Sequence, residues 1–384
     1  MEKNNKTLNV PNLRFPEFSG EWEKVPLSKI VTRVTRKNKN NESRLPLTIS
    51  AQHGLVDQVT FFNKVVASSD MSNYYLLHKG EFAYNKSYSG DYPWGAIKRL
   101  DRYDQGALSS LYICFTPTDI IDSDFLVHYF ESPKWHREVS NIAGEGARNH
   151  GLLNIAVPDF FNTQHCITTN KTEQRKIADF LNLINERIET QKKIIEDLKK
   201  LKDAIRAKLF RHIESTCSVY DEIRNMLDYE QPSEYLVNST EYSDNYQTPV
   251  LTANKAFILG YTDETYGIYA KGDCIILDDF TMDVKYVTFP FKVKSSAIKI
   301  LIAKQHVDLY FMYEYLLYLG LVSEEHKRHY ISEIEPMNIV SPPLETQKHI
   351  ALTLQTISRK IENATSFYGL LSKQKQYLLN QLFI

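Results

Sequence analysis

The chain has 384 residues, 42% of them apolar and 24% charged, enough for two domains of ordinary size with a sizeable core. The formal net charge of −1 excludes a uniformly basic nucleic-acid-binding domain and confines any anion-facing surface to local patches. The longest apolar stretch, Leu309 to Val322, is too short to span a bilayer and carries Glu314; the opening Met1 to Asn9 is polar; and Cys114, Cys166, Cys217 and Cys274 lie far apart without a CxxC pair. These features predict a cytoplasmic protein without a membrane segment, a disulfide framework or a zinc cluster.

In chain order, residues 1–20 form a short N-terminal arm and residues 21–171 a first globular segment. Short β-rich runs at Leu45 to Ser50, Gly80 to Tyr84 and Ser109 to Phe115, bounded by Gly, Asn, Asp and Pro, predict strands. Asp124 to Glu131 reads as a helix. Residues 172–210 predict one long helix. Residues 211–343 repeat the style of the first segment, with strands predicted at Thr248 to Ala253, Asp273 to Leu277 and Lys285 to Val293 and a helix at Val307 to Leu319. A second long helix occupies 344–384. Charge is split along this plan: 171–210 carry +4 and 345–384 carry +3, whereas 211–344 carry −9.

Internal repetition organises the chain. Residues 174–210 match 347–383 at a constant offset of 173, with 12 identities in 37 positions, among them Gln174/Gln347, Ile177/Ile350, Leu181/Leu354, Lys202/Lys375 and Phe210/Phe383. Weaker echoes precede it: Asp124 and Tyr129 with Asp308 and Tyr313, Lys79-Gly80-Glu81 with Lys271-Gly272-Asp273, and Ser50-Ala51-Gln52 with Thr252-Ala253-Asn254. A tandem duplication with insertions in its first half would give this order. Both long helices carry a heptad seam: Ile177, Leu181, Ile184, Ile188, Ile195, Leu198, Ile205 and Leu209 in one; Ile350, Leu354, Ile357, Ile361, Tyr368, Leu371, Leu378 and Leu382 in the other. A narrow seam suits one partner helix, and the duplicate is the obvious partner. The expected fold is α+β: two globular domains separated by two long antiparallel coiled-coil helices, each a rod of roughly 55 Å, with an internal pseudo-two-fold repeat. Lys202 and Lys375 share a seam position, where they either fix register or extend outward to solvent.

Several segments resemble the specificity subunits of type I restriction–modification systems. Pro11-Asn12-Leu13-Arg14-Phe15-Pro16-Glu17-Phe18 followed by Trp22 is similar to the N-terminal signature of that family. Leu47 to Leu55 (LTISAQHGL), Lys79 to Ser87 (KGEFAYNKS), Gly106 to Tyr112 (GALSSLY) and Gly144 to Asn154 (GEGARNHGLLN) resemble its target-recognition domains. So do Pro249 to Tyr261 (PVLTANKAFILGY) and Cys274 to Phe280 (CIILDDF). The openings Glu173-Gln174-Arg175-Lys176-Ile177 and Glu345-Thr346-Gln347-Lys348 resemble the helices of its conserved regions, the second departing by the inserted Thr346.

The resemblance implies a non-catalytic, sequence-specific subunit bound to double-stranded DNA. Each domain would read half of an asymmetric bipartite site. The helices would set the spacing and dock two modification subunits, with restriction subunits joining the complex. S-adenosylmethionine, ATP and Mg would then sit on those partners, and no cofactor or metal on this chain.

On that reading, phosphate contacts call for Lys and Arg and base contacts for side chains that reach groove edges. In the first domain the candidates are Arg33, Arg36 and Lys37 in a basic run, Ser50 and Gln52, the stretch Asn85, Lys86, Ser87 and Tyr88, and Arg148 with Asn149 in a Gly-rich loop. In the second they are Thr252, Asn254 and Lys255, and Lys285, Lys292 and Lys294 in a run without acids that continues through Lys299 and Lys304. Each set also has an ordinary reading as solvated loop, turn or strand interior. Two other functions fit the sequence less well. A methyltransferase or nuclease lacks its motifs: Ser341-Pro342-Pro343-Leu344 has neither the polar acceptor nor the aromatic residue of an adenine-binding loop, and Asp278, Asp279 and Asp283 read as a turn. A coiled-coil scaffold with two protein-binding domains accounts for the helices but not for the family-like segments.

Overall fold

A computed structural model describes residues 9–144, 151–252, 257–322 and 329–384. The chain divides into two compact units, residues 1–191 with 367–384, and residues 192–366.

In the first unit the order is β1 (Glu23–Pro26), α1 (Leu27–Ile30), β2 (Val31–Arg33), β3 (Pro46–Ser50), β4 (Gly54–Asp57), α2 (Gln58–Phe62), β5 (Tyr75–His78), β6 (Phe82–Asn85), β7 (Ala96–Arg99), β8 (Gln105–Leu108), β9 (Ile113–Pro117), α3 (Ser123–Glu131), α4 (His136–Ile142), α5 (Val157–Asn162), β10 (Gln164–Ile167) and the start of the 46-residue helix α6 (Lys171–Thr216). Two four-stranded sheets, β2-β9-β6-β7 and β4-β3-β8-β5, form the domain, and β1 pairs with β10. All pairings are antiparallel except β3 with β8. The predicted strand at Ser109 to Phe115 starts only at Ile113, because Ser109 to Tyr112 closes a turn in which Tyr112 N–H donates to Ser109 O.

The second unit repeats the plan. The end of α6 leads into β11 (Tyr220–Glu222), α7 (Ile223–Met226), β12 (Leu227–Glu230), β13 (Thr248–Leu251), β14 (Ile258–Thr262), β15 (Cys274–Asp278), β16 (Val284–Val287), β17 (Lys292–Val293), β18 (Ile298–Ala303), α8 (Leu309–Leu319), β19 (Asn338–Val340) and α9 (Leu344–Leu382). Sheet order β12-β18-β15-β16 matches β2-β9-β6-β7, and β14-β13-β17 matches β4-β3-β8, down to one parallel pair, β13 with β17. The strand expected over Lys285 to Val293 is broken, since Pro290 has no N–H to donate and Thr288 to Pro290 leave the ladder. Gly80 and Gly272, in the Lys-Gly echo, take the same left-handed conformation before β6 and β15.

The repeat is also visible in side-chain roles. Asp122 caps α3, accepting the N–H groups of Asp124 and Phe125, and Asp308 caps α8, accepting that of Phe311. The capping aspartates therefore correspond, which corrects the sequence pairing of Asp124 with Asp308. Each cap is tied to the opening of a long helix by a buried glutamine. Gln174 Oε1 accepts Asp122 N–H (2.6 Å) while its amide donates to Thr168 O and Ile120 O; Gln347 Oε1 accepts Asp308 N–H (2.9 Å) while its amide donates to Pro342 O. The insertion of Thr346 shifts nothing: α6 starts at Lys171 and α9 at Leu344, the same offset of 173 as the repeat. Ser341 to Leu344 is simply the entry to α9, with Pro343 O accepting from its first turn.

Every seam residue is buried or half-buried. In the first unit Ile177, Leu181, Ile184 and Ile188 share one core with Leu371, Leu378, Leu382 and Phe383 and with the aromatic cluster Phe82, Phe115, Phe130 and Trp135. In the second, Phe210 and Ile213 share a core with Ile350, Ala351 and Leu354. In each unit the start of one helix meets the end of the other, so within each the two run antiparallel. Each such buried aliphatic side chain stabilises by about 1.5–3 kcal/mol. α6 runs six residues past the expected Phe210, its last turn closed by Ser215 and Thr216 hydroxyls donating to His212 O. The N-terminal arm is part of the first unit. Arg14 donates to both carboxylate oxygens of Glu173, which also accepts from Thr168 and Trp22, and Leu13 N–H donates to Gln381 O.

Candidate nucleic-acid interface

In the first domain Ser50 ends β3 and is buried; its hydroxyl accepts His53 N–H and closes the turn that presents Gln52 to solvent. Gln52 lines a cleft of about 550 Å³ together with Asp91, Tyr92, Lys98, Trp135 and Lys375. The Asn85 to Tyr92 stretch leaves β6 through a turn in which Asn85 Oδ1 accepts Ser87 N–H. It is pinned to residues 151–153 by Tyr88 N–H on Gly151 O and Leu153 N–H on Lys86 O, with Ser87 and Tyr88 exposed and Lys86 half-buried. Arg148 and Asn149 lie outside the described residues.

The basic run divides. Arg33 is exposed at the end of β2. Arg36 is engaged inside the domain, giving two hydrogen bonds to Glu81, and Lys37 donates to Asn73 O at 2.8 Å and lies over the Tyr75 ring. Neither long-helix lysine extends outward to solvent. Lys375 pairs with Glu131 of α3 (2.9 Å), and Lys202 pairs with Glu314 of α8 (2.6 Å). Burial pushes the Glu131 carboxyl up, but the His128 hydrogen bond and the Lys375 charge outweigh it and bring it down to about 2. Burial pulls the neighbouring Lys98 ammonium below its usual range, against the attraction of Glu131.

In the second domain Thr252 follows β13, buried, with its N–H on Phe257 O. Asn254 and Lys255 lie outside the described residues. Lys285 is exposed on β16, and Lys294 is exposed with its ammonium 5.7 Å from the Tyr242 ring centroid. Lys292 corrects the sequence reading: it is 0% exposed, pairs with Glu264 at 3.0 Å and donates to Tyr266 O at 2.7 Å, so it cannot reach a phosphate. Lys299 is likewise buried against Asp279, and Lys304 pairs with Asp228. Asp278 and Asp279 hold backbone: Asp278 accepts Phe280 and Thr281 N–H, Asp279 those of His329 and Tyr330.

The Lys292–Glu264 pair organises a surface the sequence did not single out. Glu264 Oε1 accepts the N–H of Asn238 (2.9 Å) and of Ser239 (2.7 Å), and the exposed Asn238 amide donates to Tyr266 OH at 3.0 Å. Burial raises the Glu264 carboxyl, but these N–H groups and Lys292 hold it below the ordinary range. Nothing in the run Val237-Asn238-Ser239-Thr240 marks it apart from a common turn; the nearest signal is the acid at Glu264, which gives the buried Lys292 its partner.

Comparison with known proteins agrees with this architecture. Residues 226–366 match the family model of the type I restriction modification DNA specificity domain. A stretch of 167 residues is 40% identical to the type I restriction enzyme EcoR124I/EcoR124II specificity subunit of Escherichia coli, and covers 40% of this chain and 41% of that relative. The fold is similar to that of the type I restriction–modification S subunit from M. genitalium, with a TM-score of 0.61 at 17% identity over 98% of this chain and 99% of the other. It is also similar to a chain from a structure of complex assembly and conformational transition in the type I R-M system, with a TM-score of 0.58 at 14% identity over 96% and 99%. Residues 226–366 are thus similar to the type I restriction modification DNA specificity domain, and along nearly its whole length the chain has the fold of the type I specificity subunits.

Proposed function

We propose that this chain is the DNA-reading subunit of a type I restriction–modification complex, with each globular domain reading one half of an asymmetric bipartite site. The observation that carries the reading is the duplication. Both domains repeat one sheet order, one parallel strand pair and one glutamine latch to a long helix, so two equivalent scaffolds present two different loop sets. Equivalent scaffolds with different loops suit two half-sites of different sequence, as rigid dimers suit repeated half-sites in other DNA readers. α6 and α9 set the gap and dock two modification subunits, and restriction subunits complete the assembly. The chain itself is not catalytic: S-adenosylmethionine, ATP and Mg belong to those partners.

The test is to express the chain with a compatible modification subunit in a methylation-free host and map adenine methylation genome-wide. One asymmetric bipartite motif with a fixed gap is the expected result. A stable complex that adds no sequence-dependent methylation would overturn the reading in favour of a scaffold.

A further inference from the structure

Asn238 stands immediately after Leu236 and Val237, which are joined to β17 by the Leu236–Val293 bridge and by Val237 N–H on Val293 O. Its own N–H and that of Ser239 are both held by Glu264, and Glu264 is held by the fully buried Lys292. Its side-chain amide is oriented by one hydrogen bond to the exposed Tyr266 hydroxyl. Tyr266 is fixed in turn: its carbonyl accepts from Lys292, and the next residue, Gly267, has φ +57° with a Cβ position only 2.5 Å from Glu234 O, so the chain there admits no side chain. An exposed asparagine is thus held at its backbone by Glu264 and at its amide nitrogen by Tyr266. A side chain held this way binds without first losing rotamer freedom.

We propose that Asn238 is a base-reading residue of the second domain and that its target is the major-groove edge of an adenine. That edge places an N6–H donor beside the N7 acceptor, the pattern a carboxamide meets with one acceptor and one donor. Lys292 and Glu264 are positioning residues for it, and Lys294, exposed beside Tyr242, supplies a nearby cation for the backbone. The inference rests on the DNA-reading function proposed above and names one of its readers.

The same methylation mapping tests it with Asn238→Ala and Asn238→Asp in the full chain, co-expressed with the modification subunit. Asn238→Ala is expected to leave the motif intact except at one adenine of one half-site, where discrimination falls about ten- to a hundredfold. Asn238→Asp keeps the acceptor and loses the donor, and is expected to shift preference at that base pair towards cytosine, whose N4–H₂ donates to a carboxylate. Tyr266→Phe is expected to blur the same position and no other. An unchanged motif, or a loss spread over both half-sites, overturns the assignment while the wild-type motif leaves the DNA-reading function standing. Absence of any motif with the wild-type chain overturns the function itself.

Discussion

The buried glutamines show how much one side chain can decide. Gln347 is 1% exposed and satisfies a helix-cap N–H and a carbonyl at once. Gln347→Ala strands both groups and is expected to cost about 1–3 kcal/mol of unfolding free energy per unsatisfied group, read from urea denaturation midpoints. Gln174→Ala, with three hydrogen bonds at stake, is expected to cost at least as much in the first unit. His165 sets a pH limit. It is buried between Tyr129 OH and Thr163 Oγ1, and burial brings its pKa down to about 4. Below about pH 6.5 the unfolded chain takes up a proton that the folded one refuses, so stability falls as pH drops from 6.5 towards 4, by on the order of 1 kcal/mol per pH unit. Urea midpoints at pH 7 and pH 5 measure the slope, and His165→Gln should flatten it; an unchanged slope would place the titration elsewhere.

At the level of elements, the long helices were legible because a seven-residue period survives whatever the domains do around it. Ile188 shows the cost of interrupting it: proline there removes a hydrogen bond and clashes with the preceding turn inside α6, at about 3 kcal/mol or more. Ile188→Pro is expected to lower the melting temperature and abolish co-purification of modification subunits; a variant that still assembles would refute the docking role of the helices. Strand starts were legible too, from Pro46 to Ser50 and Cys274 to Asp278, and the break before β17 could have been read from Pro290 itself, whereas the late start at Ile113 could not, since it depends on a local turn inside an apolar run. Contact residues were least legible. Lysines in an acid-free run look available, but Lys292 and Lys299 meet Glu264 and Asp279, acids 28 and 20 residues earlier in the chain. Only the fold brings those carboxylates to them.

For the molecule as a whole, duplication makes a modular prediction. On the proposed DNA-reading function, replacing residues 21–160 with the corresponding domain of a type I specificity subunit is expected to change one half of the methylated motif and leave the other half untouched. A change in both halves would show that the domains do not read independently. The two units also differ in how they are put together from the chain. The second is one continuous stretch, 192–366, but the first is closed by residues 367–384, whose Leu371, Leu378, Leu382 and Phe383 complete its core and whose Gln381 carbonyl receives the N-terminal arm. During synthesis the first domain therefore leaves the ribosome early yet stays short of part of its interior until the last turns of α9 arrive. The half made first is the half that waits, with apolar faces of α3 and α6 open to a chaperone or to a neighbouring nascent chain in the interval.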